Sequence, residues 1–213
     1  MEVVQAEAGV IKADFQFLEA LAEKCREMGS LLVFDEIQSG MGRTGSLFAF
    51  EQYGITPDIL VLGKSLGGGL PLSAMVSSNK ITHSIATNPP LTHMSTFGGH
   101  PLCCAAGLAS LEVLLKSDLI PQSKILSLAF LQKIKDHPQI KEIRSTCGLW
   151  MAIELHHAEM VQKLIPLAQE RGLLIDWFLF NDKSLRIAPP LTINYEEILL
   201  AADILLDCLD HLP

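Results

Sequence analysis

Two short apolar runs, each followed by a charged residue, constrain this chain most. Leu31-Leu32-Val33-Phe34 is apolar without alternation and ends in Asp35-Glu36. Asp58-Ile59-Leu60-Val61-Leu62 repeats the pattern and leads into Gly63-Lys64. A run that is apolar on both faces marks a strand of a buried parallel sheet. Residues 72–77 form a third strand candidate. The spacing predicts a helix over 14–28, with Leu18, Leu21, Cys25 and Met28 on one stripe and Gly29 as its stop. Helix and strands joined by short links are the pattern of an α/β domain. In such sheets ligands bind beyond the strand carboxyl ends. Asp35 and Lys64, 29 residues apart in the chain, are both delivered there.

The pattern changes after Gly98. A helix is expected over 99–116, its second half amphipathic through Leu108, Leu111, Glu112 and Leu115. Pro121 reads as a boundary, since proline interrupts a helix. A helix over 122–136 follows. Strands are expected at 140–146, 149–155, 173–178 and 185–188, with helices at 158–171 and 195–210. Asn194 with Glu197 three residues later is a capping-box start. The expected organisation is a larger α/β domain over 1–118 and a small α+β domain over 119–213.

Composition excludes several classes. With 24 acidic and 16 basic residues the formal charge is −8, whereas a reader of nucleic-acid phosphates needs a basic face. No apolar run approaches a membrane span. The opening MEVVQAEAGV lacks the basic start and long apolar stretch of a signal peptide. Five cysteines without framework spacing read as reduced thiols of a cytoplasmic protein.

Two motifs are decoys. Gly40-Met41-Gly42-Arg43-Thr44-Gly45 matches G-x-G-x-x-G, but five residues separate it from the preceding strand and no acid ends the next one. Gly63-Lys64-Ser65 resembles the end of a P-loop, but Asp58 stands where that motif needs glycine. The seven histidines and five cysteines form no metal-binding spacing, and no metal is expected. Cys103 and Cys104 are adjacent in a helix and read as packing residues, while His156-His157 reads as a turn beside a strand end.

Lys64 sits within Leu-Gly-Lys-Ser-Leu-Gly-Gly-Gly-Leu-Pro. Its apolar neighbours are expected to desolvate the amine and lower its pKa, as a nucleophilic lysine requires. Taken singly, Lys64 and Asp35 read more simply as a solvated loop lysine and a capping aspartate.

The longer string shifts that balance. LLVFDEIQSGMGRTGSLFAFEQYGITPDILVLGKSLGGGLPLSA, followed by HMSTFGGHPLCCAAGLASLEVL, closely resembles the class III aminotransferases of the ornithine/acetylornithine type, which use pyridoxal phosphate. Residues 2–10, EVVQAEAGV, are similar to the family's E-P-I-Q-G-E-x-G-V segment. Leu185-Arg186-Ile187-Ala188-Pro189-Pro190-Leu191 resembles its substrate-carboxylate motif.

The resemblance implies the C-terminal part of a fold type I large domain, a small α+β domain, and a set of roles. Lys64 would form the Schiff base with the cofactor, and Asp35 would pair with its pyridine nitrogen. Gln38 would touch the ring's phenolic oxygen, and Ser95 and Thr96 the cofactor phosphate of a neighbouring subunit in a homodimer. Arg186 would clamp a substrate carboxylate, with Glu7 pairing to it and releasing it when needed. Arg43 would order the glycine loop. The reaction implied moves an amino group from an ornithine-like or acetylornithine-like donor to 2-oxoglutarate in two half-reactions. A different ω-aminotransferase, such as one acting on 4-aminobutyrate, or an aminomutase, is the alternative within the family.

The sequence departs from the pattern at Val3, Ala6, Ala8 and His100. The family's longer N-terminal part, with its phosphate loop and ring-stacking aromatic, has no counterpart before Met1. The expectation is a C-terminal portion that binds cofactor weakly by itself, or a non-catalytic fragment or partner subunit.

Overall fold

The structure is a computed structural model describing residues 1–87, 89, 90 and 92–212. Pro213, the end of the expected C-terminal domain, lies outside them. In chain order the elements are β1 (Val4–Gln5), β2 (Ile11–Lys12), α1 (Phe15–Met28), β3 (Val33–Asp35), β4 (Ile59–Leu62), β5 (Ala74–Ser77), α2 (Asn79–Thr87) and α3 (Pro101–Lys116). There follow α4 (Leu119–Ile134), β6 (Ile140–Ser145), β7 (Met151–Leu155), α5 (Ala158–Glu170), β8 (Asp176–Phe178), β9 (Asn181–Ile187) and α6 (Tyr195–Asp210). Short 3-10 turns occupy Ala49–Tyr53 and Lys64–Gly67. None of the described helices is long and apolar enough to cross a membrane.

Two compact units result. The first comprises Met1–Val3, Ala13–Met41 and Phe48–Ser117; the second comprises Val4–Lys12, Gly42–Leu47 and Asp118–Pro213.

In the first unit, α1 starts where Asp14 accepts the amide of Phe17 at 3.1 Å. It stops where Gly29 adopts φ 65°, the left-handed turn that favours glycine. Its inward stripe is Leu18, Leu21 and Cys25, whereas Met28 is exposed. The sheet order is β3-β4-β5. β3 and β4 run parallel, with Asp35 opposite Val61. β5, the third strand candidate, pairs antiparallel to β4. The short connection through 63–73 explains this, because a parallel return needs a crossover of a dozen or more residues. Burial alternates along β4, with Leu60 and Leu62 buried and Ile59 and Val61 half-buried, and Leu31 lies outside β3, exposed. On α3 the expected face is not the one covered. Leu108 and Leu115 are exposed, while Gly107 and Leu114 are buried. The reason is close approach: a Cβ at Gly107 would lie 2.6 Å from Leu72 Cδ2 and 2.8 Å from the Leu66 carbonyl.

In the second unit a four-stranded antiparallel sheet has the order β6-β7-β9-β8. Its core gathers Phe130, Ile134, Met151, Ile153, Leu164, Leu185, Ile198 and Leu205 from α4, β7, α5, β9 and α6. Each such side chain contributes roughly 1.5–3 kcal/mol by leaving water. Pro121 is not a boundary but the third residue of α4. The first-turn amides of a helix have no intrahelical partner, so proline there removes nothing. The start of α6 is a reciprocal cap: Glu197 N donates to Asn194 Oδ1 and Asn194 N to Glu197 Oε2, both at 2.9 Å. The hairpin β1–β2 also belongs to this unit, tied by Arg144 Nε to the Gly9 carbonyl at 2.7 Å.

Candidate active site

The first unit delivers a carboxylate and an amine beyond adjacent strand ends. Asp35 closes β3, its amide bonded to the Met1 carbonyl at 2.8 Å, and its Oδ1 accepts the Ile37 amide at 3.0 Å. That side-chain-to-backbone turn fixes the carboxylate at the strand exit. Lys64 opens the 3-10 turn two residues past β4, with φ 47°. A non-glycine residue in the left-handed region is uncommon and occurs where surrounding structure holds it.

Lys64 is exposed, so the expected apolar shelter is absent. Its neighbours in the turn are open as well: Ser65, Gly68 and Gly69 are all exposed. Among the described residues Lys64 Nζ makes no hydrogen bond and no ion pair. Gln38 is half-buried in the loop after Asp35. Ser95 and Thr96 are exposed before α3, and the Ser95 carbonyl accepts the Gly98 amide at 3.2 Å.

Glu36, beside Asp35, is buried and was missed by the sequence reading. Its Oε2 accepts Ser39 Oγ at 3.1 Å and the Ala49 amide at 2.7 Å, and its Oε1 accepts the Phe50 amide at 2.8 Å. It thereby fixes how the chain leaves β3. Burial pushes its carboxyl pKa up, more than these three donors pull it down.

The second unit holds Glu7 and Arg186 together. Arg186 Nη1 lies 3.3 Å from Glu7 Oε1, and Nη2 donates to Asp176 Oδ2 at 2.7 Å. The Phe178 ring lies 6.0 Å from the guanidinium carbon, within cation–π range. Glu7 is held in turn: the Leu179 amide donates to its Oε2 at 3.1 Å and the Phe180 amide to its carbonyl at 3.0 Å. No sequence signal marked Asp176, because its role depends on the β8–β9 register. Arg43 anchors the glycine segment within this unit. Its Nη1 donates to the Leu149 carbonyl at 3.0 Å and the Pro189 carbonyl at 2.6 Å.

The mixed α/β fold, with a lysine and an aspartate beyond adjacent parallel strands of the first unit, matches part of the fold type I transferase domain of solved aminotransferases. The chain belongs to the aminotransferase class-III family, whose model matches residues 1–209. It is 42% identical over 202 residues to a putrescine aminotransferase of Pectobacterium atrosepticum, covering 92% of this chain and 43% of that protein. It is 40% identical to an acetylornithine aminotransferase of Methanocaldococcus jannaschii, covering 99% of this chain and 51% of that protein. The ornithine aminotransferase structure from Toxoplasma gondii, described with PLP at its active site, superposes with TM-score 0.89 at 33% identity. That alignment covers 100% of this chain and 50% of the other. The chain thus spans about half the length of the curated relatives it matches.

Class III aminotransferases depend on pyridoxal phosphate. The residues here fit that group. It needs an amine without a competing partner to reach an aldehyde, and a carboxylate to face a ring nitrogen. Lys64 and Asp35 supply both beyond neighbouring strands.

Proposed function

We propose that this chain carries the cofactor-anchoring and substrate-carboxylate residues of an aminotransferase. The reaction moves an amino group from an ornithine-like or acetylornithine-like donor to 2-oxoglutarate. The observation that carries the reading is Lys64 Nζ, unpartnered among the described residues and two residues past the end of the strand paired with the one that ends in Asp35. When bound, pyridoxal phosphate supplies an electron sink for the bond broken at the donor carbon. Lys64 Nζ would hold the cofactor and, as a free amine, would take the proton from that carbon. Asp35 keeps the ring nitrogen protonated, and Gln38 donates to the ring's phenolic oxygen. Ser95 and Thr96 meet the phosphate in a neighbouring subunit of a homodimer. Arg186 receives a carboxylate with its planar fork. Glu7 occupies that arginine when no carboxylate is present. The domain roles follow: residues 1–118, apart from 4–12 and 42–47, for the cofactor, and 119–213 with those two segments as the small domain. The five cysteines, all free, support a cytoplasmic setting.

The test is the visible spectrum of purified residues 1–213 with pyridoxal phosphate, before and after borohydride, with peptide mapping. A coloured adduct fixed on Lys64 is expected; its absence overturns the reading. Turnover is then measured with ornithine, acetylornithine, 4-aminobutyrate and 1,4-diaminobutane. A fixed adduct without turnover on any donor identifies the chain as a cofactor-holding fragment or partner subunit. The putrescine-named relative favours a diamine within the ω-amine alternative.

A further inference from the structure

Arg186 is held by two carboxylates rather than one. Asp176 and Arg186 are directly opposed in the antiparallel β8–β9 pair, so their side chains leave the same face of the sheet. Asp176 is itself fixed. Its Oδ1 accepts the Trp177 amide at 2.8 Å, and its Oδ2 takes Arg186 Nη2 at 2.7 Å. Glu7 engages the other terminal nitrogen at 3.3 Å, a longer contact. Any two-pronged approach of a carboxylate to a guanidinium uses at least one terminal nitrogen, and here both are already committed. One cation between two anions leaves a local charge of −1.

From this arrangement, and resting on the role proposed for Arg186, we infer that Asp176 is a second latch on Arg186 that sets substrate class. With both latches closed, the site takes a donor whose far end is an ammonium, as in an aliphatic diamine, in preference to one ending in a carboxylate. A 2-oxo dicarboxylate gains Arg186 only by displacing Asp176 as well as Glu7. Asp176 is thus a specificity residue that acts through Arg186.

The experiment is calorimetric titration of purified residues 1–213 with two probes, 2-oxoglutarate and 1,4-diaminobutane. The variants are Asp176→Asn, Asp176→Glu and Arg186→Met, each checked for an unchanged melting curve. Half the Asp176 side chain is exposed, so Asp176→Asn keeps the fold. The expected result is 2-oxoglutarate bound about fivefold tighter and 1,4-diaminobutane about fivefold weaker in Asp176→Asn, the size of a partly exposed ion pair. Asp176→Glu restores the wild-type ratio. An unchanged ratio in Asp176→Asn, with 2-oxoglutarate binding lost in Arg186→Met, overturns the latch and leaves the Arg186 role standing. Undiminished 2-oxoglutarate binding in Arg186→Met overturns both. Failure of Asp176→Asn to bind either probe also overturns the latch.

Discussion

Asp35 and Lys64 leave the carboxyl ends of two hydrogen-bonded parallel strands, with Asp35 in register with Val61 three residues before the lysine. Parallel pairing puts both strand exits at one edge of the sheet, so an acid and an amine 29 residues apart in sequence follow adjacent strand ends.

In the role proposed for Lys64, the substitution Lys64→Ala removes the attachment point and the proton carrier together. The borohydride-fixed mass on the peptide containing residue 64 disappears. In whatever assembly turns over, the rate falls by about 10²–10⁴-fold, the usual contribution of a positioned general base. Peptide mapping and single-turnover kinetics check the two effects separately.

Asp35→Asn keeps the shape of the side chain and the turn to Ile37 but removes the charge. In the pairing proposed for Asp35 and the ring nitrogen, the lost hydrogen bond to a charged group is worth roughly 1.5–3 kcal/mol, and cofactor affinity drops by about tenfold or more. Spectral titration with pyridoxal phosphate measures it, with the melting curve unchanged.

Glu36→Gln places an amide donor against three donors, from Ser39, Ala49 and Phe50. Stability falls by roughly 1–3 kcal/mol, because one buried donor loses its acceptor. The loss depends on pH. The folded-state pKa of Glu36 lies above its ordinary value of 4.5. The folded state therefore holds this proton more tightly than the unfolded state, and its linked stability, full below 4.5, is lost as pH rises through the raised value. The variant lacks this titration, so its deficit narrows as pH rises. Denaturant melts at several pH values read the trend, and a deficit that widens with pH contradicts it.

Gly148→Ala drives a methyl group against the backbone of residues 43–45. A Cβ there would lie 2.5 Å from the Arg43 carbonyl and against the Gly45 amide. Backbone cannot yield as a flexible side chain does, so the variant loses about 1–3 kcal/mol. Arg43→Met, which removes the bonds to Leu149 and Pro189, loses a similar amount by leaving two carbonyls without their donor. Thermal melts of both variants check these values.

Asn194→Ala removes the acceptor of the Glu197 amide at the start of α6. The expected loss is about 1 kcal/mol, read as a lowered denaturant midpoint at constant slope.

Local chemistry made much of this legible from sequence. The end of α1 follows from Gly29, and the start of α6 from Asn194 and Glu197. The strands β3 and β4 follow from their apolar runs, and the family follows from motif order along the chain. Such signals span a few residues and need no distant partner. Features that depend on distant partners stayed hidden. They include the reversal of β5, the covered face of α3 set by Gly107, and the burial of Glu36 under amides 13 and 14 residues away. The place of residues 4–12 and 42–47 in the second unit, and of Asp176 on Arg186, are of the same kind. These were decided only when strand register and close packing brought remote residues together, because a contact depends on position in space and not on spacing in sequence.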